Sequence, residues 1–142
     1  MSDTICIDAG PVIQLVAFPG KKQARRMWEH WELERITVIA PALLFYEVTN
    51  VLYRYRKANL LSSETVTESL ALALSLPISL VEDAELHQMA VASAMRFGLQ
   101  AAYDAHYLAL AERTGSVLWT TDERLTNRMK DLGIDWVQLI RE

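Results

Sequence analysis

Thr4-Ile5-Cys6-Ile7-Asp8-Ala9-Gly10-Pro11 runs apolar without alternation, stops on a carboxylate and turns at once into a helix start. A strand with one wet face alternates polar and apolar residues; one buried on both faces does not. Pro11 suits a first helical position, which makes Gly10 the expected cap and leaves Asp8 outside it. A strand covered on both sides and feeding directly into a helix is the opening half of a βα unit.

The rest of the chain repeats that alternation. Pro19-Gly20 breaks the first helix, and residues 21–34 form a second with Ala24, Met27, Trp28 and Trp31 on one face. The two tryptophans read as core. Thr37 to Ala40 is a second strand ended by Pro41, and a long helix follows over residues 41–58 with Asn59 as its stop. Ser62 or Ser63 caps a helix that Pro77 closes, Ile78 to Val81 is a strand, and helices over residues 83–96 and 103–114 stop at Gly98 and Gly115. Residues 116–120 form a strand, residues 122–132 a helix stopped at Gly133, and residues 136–140 a final strand. Strands separated by helices require crossover connections, so the expected fold is one α/β domain over residues 1–142 with a mainly parallel sheet.

Within that pattern four acids stand in apolar company: Asp8, Glu47, Asp104 and Asp122. Asp8 and Asp122 each end a strand, and in an open parallel sheet ligands bind beyond the carboxyl ends of the strands where strand order reverses. Adjacent first and fourth strands would bring these two together. Glu47 has Leu43 and Leu44 one helical turn before it and Asn50 and Val51 one turn after, so its face is largely apolar with Asn50 as the polar neighbour. Asp104 opens a helix near the opposite edge, unless the loop over residues 99–102 carries it back over the sheet. Each acid also has an ordinary explanation: a helix cap for Asp122, the helix dipole for Asp104, an arginine partner for Glu47. If the four converge, a hard divalent cation is the partner that fits oxygen ligands.

Composition narrows the alternatives. The chain has 142 residues, 51% of them hydrophobic, and a net charge of -4. That charge argues against binding nucleic acid by bulk electrostatics and leaves room for local patches. Arg124 and Arg128, four apart on the helix after Asp122 with Asn127 beside them, are candidate phosphate contacts. Lys21, Lys22, Arg25 and Arg26 form a second basic cluster and Arg54, Arg56 and Lys57 a third, each also readable as a solvated helix face. Cys6, the one cysteine, lies in an apolar run and reads as a small buried hydrophobe in a reducing compartment. His106, two residues from Asp104, falls on a different helix face and reads as structural. Met1-Ser2-Asp3-Thr4 lacks the basic start of a signal peptide and no run reaches membrane-span length, so a cytoplasmic protein without a membrane span is expected.

Four blocks in order carry a family resemblance: Ile7-Asp8-Ala9, Tyr46-Glu47-Val48-Thr49-Asn50-Val51-Leu52, Tyr103-Asp104-Ala105-His106-Tyr107-Leu108-Ala109-Leu110-Ala111-Glu112, and Trp119-Thr120-Thr121-Asp122-Glu123-Arg124-Leu125. Together they resemble a PIN-domain ribonuclease, more specifically a VapC-type toxin of a toxin–antitoxin pair. The resemblance implies a three-layer α/β/α fold with a five-stranded parallel sheet of order 3-2-1-4-5. It implies a Mg²⁺ or Mn²⁺ site made by Asp8, Glu47, Asp104 and Asp122, with Thr120 beside them and Asn50 as an auxiliary. It further implies endoribonuclease activity on RNA, a homodimer and an antitoxin partner. The chain departs from the family in one place: Gly10 stands where the family commonly has Ser, Thr or Asn two residues after the first Asp. A side-chain hydrogen bond is missing there, and the Gly10 amide is the available substitute. That departure motivates the alternative of a catalytically weak PIN-like RNA- or protein-binding module.

Overall fold

The structure is a computed structural model describing residues 3–141. Its elements are β1 (Thr4–Ile7), α1 (Ala9–Ala17), α2 (Lys22–Leu33), β2 (Thr37–Pro41), α3 (Leu43–Lys57), α4 (Ser63–Ser75), β3 (Ile78–Val81), α5 (Ala84–Phe97), α6 (Tyr103–Thr114), β4 (Val117–Thr120), α7 (Glu123–Asp131) and β5 (Val137–Leu139). The strands form one five-stranded sheet of order β3-β2-β1-β4-β5. All four pairings are parallel, as the crossover logic requires.

The strand order decides where helices go. The chain steps from β1 to β2 to β3 in one direction, then returns across the sheet to β4 and β5. Right-handed crossovers in opposite directions place their helices on opposite faces. Helices α1 to α4 pack on one another on one side, with α1 against β4 and α3 against β2, while α6 lies across β1, β2 and β4 with α5 packed on it. Side chains of β1 divide accordingly: Cys6, fully buried, directs its thiol at the Tyr107 carbonyl of α6. Trp28 and Trp31 are core, as expected, and Trp31 meets the ring of Trp119 on β4. Among the described residues no helix is long and apolar enough to cross a membrane.

Two local expectations are corrected. Pro41 ends β2 rather than opening α3, pairing with Val81 of β3. The β1 pairing has already stopped at Ile39, so the missing Pro41 N–H leaves no β1 carbonyl without a donor. Asp8, not Gly10, is the N-cap of α1: its side chain accepts the Ala9 N–H, and Pro11 is the third helical residue. The helix stops hold, since Asn59 takes a left-handed φ of 61° and Gly98 caps α5 at φ 64°.

Candidate active site

Parallel β1 and β4 lie side by side in the register Ile7↔Trp119, so the residues that follow them leave the sheet together. Asp8 continues the ladder by one more bond, its N–H donating to the Trp119 carbonyl at 3.0 Å. Thr120, fully buried, then ties the two strand ends together. Its hydroxyl donates to Asp8 Oδ2 at 2.7 Å and accepts the Asp122 N–H at 3.0 Å. A buried hydroxyl used in both directions is satisfied and holds a single orientation. Asp8 Oδ1 takes the Ala9 N–H at 2.8 Å and Asp122 Oδ1 the Leu125 N–H at 3.0 Å. Both acids are therefore helix caps as well as members of the cluster; the two readings are compatible because each carboxylate keeps further lone pairs.

Glu47 reaches the same end of the sheet from α3. It is half-buried, and its partner is a tyrosine rather than an arginine: Tyr107 donates from its hydroxyl to Glu47 Oε1 at 2.5 Å. Tyr107 itself is buried on α6. Sequence reasoning missed this role. The available signal was its position three residues after Asp104, which puts both on one face of that helix.

Asp104 is the second residue of α6, reached through the turn from Gly98 to Ala102. It returns to the cluster: its charge bears on Asp8 and on Glu47, and the charge of Asp122 bears on it. Thus all four acids share one electrostatic neighbourhood. Burial pushes the Asp8 carboxyl up to about 7, against hydrogen bonds from Thr120 and Ala9, with Glu47 and Asp104 adding repulsion. Asp8 keeps some exposed area as a residue, so the desolvation belongs to its carboxyl rather than to the whole side chain. Glu47 is raised by burial, lowered by Tyr107 and raised again by Asp104. Asp104, although much of the residue faces solvent, is raised by burial and then by Asp122.

As placed, no three His, Cys, Asp or Glu side chains among the described residues stand close enough to enclose an ion. The carboxylates form a convergent, mutually repelling set rather than a closed ligand shell. Their donor chemistry fits a hard divalent cation: all atoms are carboxylate oxygens, and added positive charge would offset the burial and relieve the repulsion that together raise Asp8.

The other sequence candidates separate. Arg124 is exposed and has no ion pair or side-chain hydrogen bond among the described residues. Arg128 is drawn away from the cluster, its guanidinium donating to the Phe97 carbonyl at 3.2 and 2.8 Å and to the Gly98 carbonyl at 3.0 Å. It satisfies the carbonyl end of α5. Asn50 is exposed and shares a cleft with Glu47 and Asp104. His106 is structural in part: Nδ1 contacts the Ala102 carbonyl at 2.8 Å and Nε2 meets His87 Nδ1 at 2.9 Å.

Gly10 has a steric reason that the sequence did not disclose. A Cβ at this position would lie 1.9 Å from Thr121 Oγ1 and 3.2 Å from Thr121 Cβ. The Thr121 hydroxyl occupies the space in which a side chain at position 10 would begin.

A PIN domain family model matches residues 5–131, and the chain belongs to the PIN domain family, a nuclease fold. Among solved structures it is similar to PAE2754 from Pyrobaculum aerophilum, at 24% identity over 99% of this chain and 92% of that one, with a TM-score of 0.68. It is also similar to a toxin–antitoxin complex from Klebsiella pneumoniae, at 21% identity over 97% of this chain and 98% of that one, with a TM-score of 0.66. Likeness at these identities shows the fold alone. No curated protein matches the chain.

Proposed function

We propose that this chain is a Mg²⁺- or Mn²⁺-dependent endoribonuclease, a single PIN-like domain acting in the cytoplasm as the toxin of a VapC-type toxin–antitoxin pair. The observation that carries the reading is the convergence of Asp8, Glu47, Asp104 and Asp122 from β1, α3, α6 and the β4–α7 junction, where burial raises Asp8 to about 7 and the charges of Glu47 and Asp104 add to it. Perturbed carboxylates gathered at the carboxyl end of a parallel sheet are the expected signature of a functional site. Membership of the PIN family supports the nuclease class, and the toxin–antitoxin complex among the similar folds supports the partner.

In this mechanism the four carboxylates would hold the cation, which would polarise the scissile phosphate and lower the pKa of the attacking water. Water oxygen forms a new bond to phosphorus, one bridging P–O bond breaks, and the leaving oxygen takes up a proton. Thr120 keeps Asp8 and Asp122 at fixed separation through its paired hydrogen bonds. Tyr107 holds Glu47 and favours its ionised form. Arg124, exposed and without an ion pair among the described residues, is a cation available to a phosphate beside the site. The antitoxin and a second copy of the chain are the protein partners in this reading.

Cleavage of single-stranded RNA with Mg²⁺ or Mn²⁺ tests the proposal. It is expected to vanish with chelator and in Asp104→Asn, while circular dichroism shows the fold retained. Undiminished cleavage in that variant sinks the reading. Gly10 motivates the alternative of a catalytically weak RNA- or protein-binding module; in the structure the Thr121 hydroxyl fills the space beside Gly10. Metal-independent RNA binding without cleavage under any divalent ion would favour that alternative.

A further inference from the structure

Two of the acids have an exposed tyrosine as their immediate neighbour in sequence: Tyr46 precedes Glu47 and Tyr103 precedes Asp104. Tyr46 is 77% exposed and Tyr103 67% exposed. Neither side chain has a hydrogen-bond or ring partner among the described residues, whereas Tyr55 packs on Phe18 and Tyr107 is engaged by Glu47. The two rings line one cleft of about 560 Å³ together with Glu47 and Asp104 and the side-chain amides Asn50 and Gln100. Tyr53, 61% exposed, lies outside the cleft that these two rings share.

A cleft of two acids, two free rings and two amides, completed by the apolar Leu43, Leu99 and Ala101, is poorly suited to bind phosphate by charge. The net charge is -4, and Arg128 is committed to the Phe97 and Gly98 carbonyls. Arg124 lies on α7 outside this cleft, so affinity at the rim itself comes from a neutral source. Base stacking on aromatic rings is one, contributing about 1–3 kcal/mol per base whatever the base, because every base offers a π-face. Amides then offer paired donors and acceptors to base edges.

We infer that Tyr46 and Tyr103 form a nucleobase subsite for single-stranded RNA beside the acid cluster, with Asn50 and Gln100 as edge-reading groups. The inference rests on the nuclease reading for the identity of the substrate. Stacking holds a nucleotide flanking the scissile phosphate, so the phosphate is delivered to the acids by its neighbours as well as by Arg124.

The test uses a short mixed-sequence single-stranded RNA carrying 2-aminopurine, titrated into the protein in chelator so that nothing is cut. Stacking quenches the probe. Wild-type protein is expected to quench it, Tyr46→Phe and Tyr103→Phe to retain binding, and Tyr46→Ala or Tyr103→Ala to weaken it roughly 5- to 150-fold. In cleavage assays with Mg²⁺ the alanine variants should raise KM with kcat little changed. Unchanged affinity in both alanine variants overturns the subsite, as does absence of binding in a protein that cleaves. A change of sedimentation mass in the alanine variants also overturns it, by assigning the rings to contact with a second copy. Quenching that persists in a protein showing no cleavage with any divalent ion leaves the subsite standing and removes the nuclease reading instead.

Discussion

Tyr107 donates its hydroxyl proton to Oε1 of Glu47 at 2.5 Å, a bond between positions 60 apart in sequence. It is a buried phenol facing a half-buried carboxylate, and each shapes the other. Burial and the charges of Asp8 and Glu47 push the Tyr107 phenol far above its ordinary range, so it remains a donor at every working pH. Its hydrogen bond works against the burial that raises Glu47.

Tyr107→Phe should therefore raise the Glu47 carboxyl further. A carboxyl must lose its proton to hold a metal, so the acid limb of Mn²⁺ binding is expected to move to higher pH. Affinity at neutral pH should fall about 10- to 100-fold, the usual effect of losing a group that orients a ligand. Calorimetric titrations at several pH values check this; an unshifted limb shows that Glu47 stands outside the metal set.

Asp8 makes stability depend on pH in a defined direction. Its folded value, about 7, lies above the ordinary carboxylate range. The protonated form is favoured on folding, so its stabilisation is complete below about pH 4 and is lost as pH rises through about 7. Glu47 and Asp104 are raised as well and act in the same sense. Metal-free protein should melt several degrees lower at pH 8 than at pH 5.5. Asp8→Asn should flatten that dependence and raise Tm at pH 8, while losing metal binding. Differential scanning calorimetry in chelator measures both, and a Tm that climbs with pH contradicts the electrostatics.

Gly10→Ala sets two effects against each other. Replacing a helical Gly by Ala ordinarily gains about 0.5–1 kcal/mol. Here the new Cβ meets Thr121 Oγ1 at 1.9 Å, and overpacking costs about 1–3 kcal/mol, so the clash is expected to win. The single variant should be destabilised, and Gly10→Ala combined with Thr121→Ala should recover stability to the level of Thr121→Ala or above. Additive changes in denaturant midpoints would show that the two positions do not interact.

Arg124 and Arg128 should part company. Arg128→Ala removes the donors to the Phe97 and Gly98 carbonyls and should lower stability by about 1–2 kcal/mol, with little effect on RNA affinity. Arg124→Ala should leave Tm unchanged and reduce the slope of RNA affinity against salt by about one. The reverse pattern would return Arg128 to the substrate and mark Arg124 as structural.

The element pattern was legible because its signals are local. The unalternating run from Ile5 to Ile7, the capping serine at position 62, and the glycines after α5 and α6 each depend on a few neighbouring residues. Even there the boundaries slipped. Pro41 joined β2 because the β1 ladder had already ended, and Asp8 became the cap because its side chain turned onto the Ala9 N–H. Both outcomes depend on hydrogen bonds whose direction residue type does not dictate.

The candidate site divides along the same line. Periodicity and strand ends nominated Asp8, Glu47 and Asp122, and the family blocks added Asp104, because placing acids in apolar runs is costly enough to stand out in a single chain. Tertiary packing alone decided the company they keep: Tyr107 on Glu47, Thr120 between Asp8 and Asp122, Thr121 against Gly10, and Arg128 on the end of α5. Most of these partners lie far apart in sequence and meet only after the sheet has ordered its strands and the helices have closed over it. The carboxylates were readable as anomalies; the bonds that orient them came with the fold.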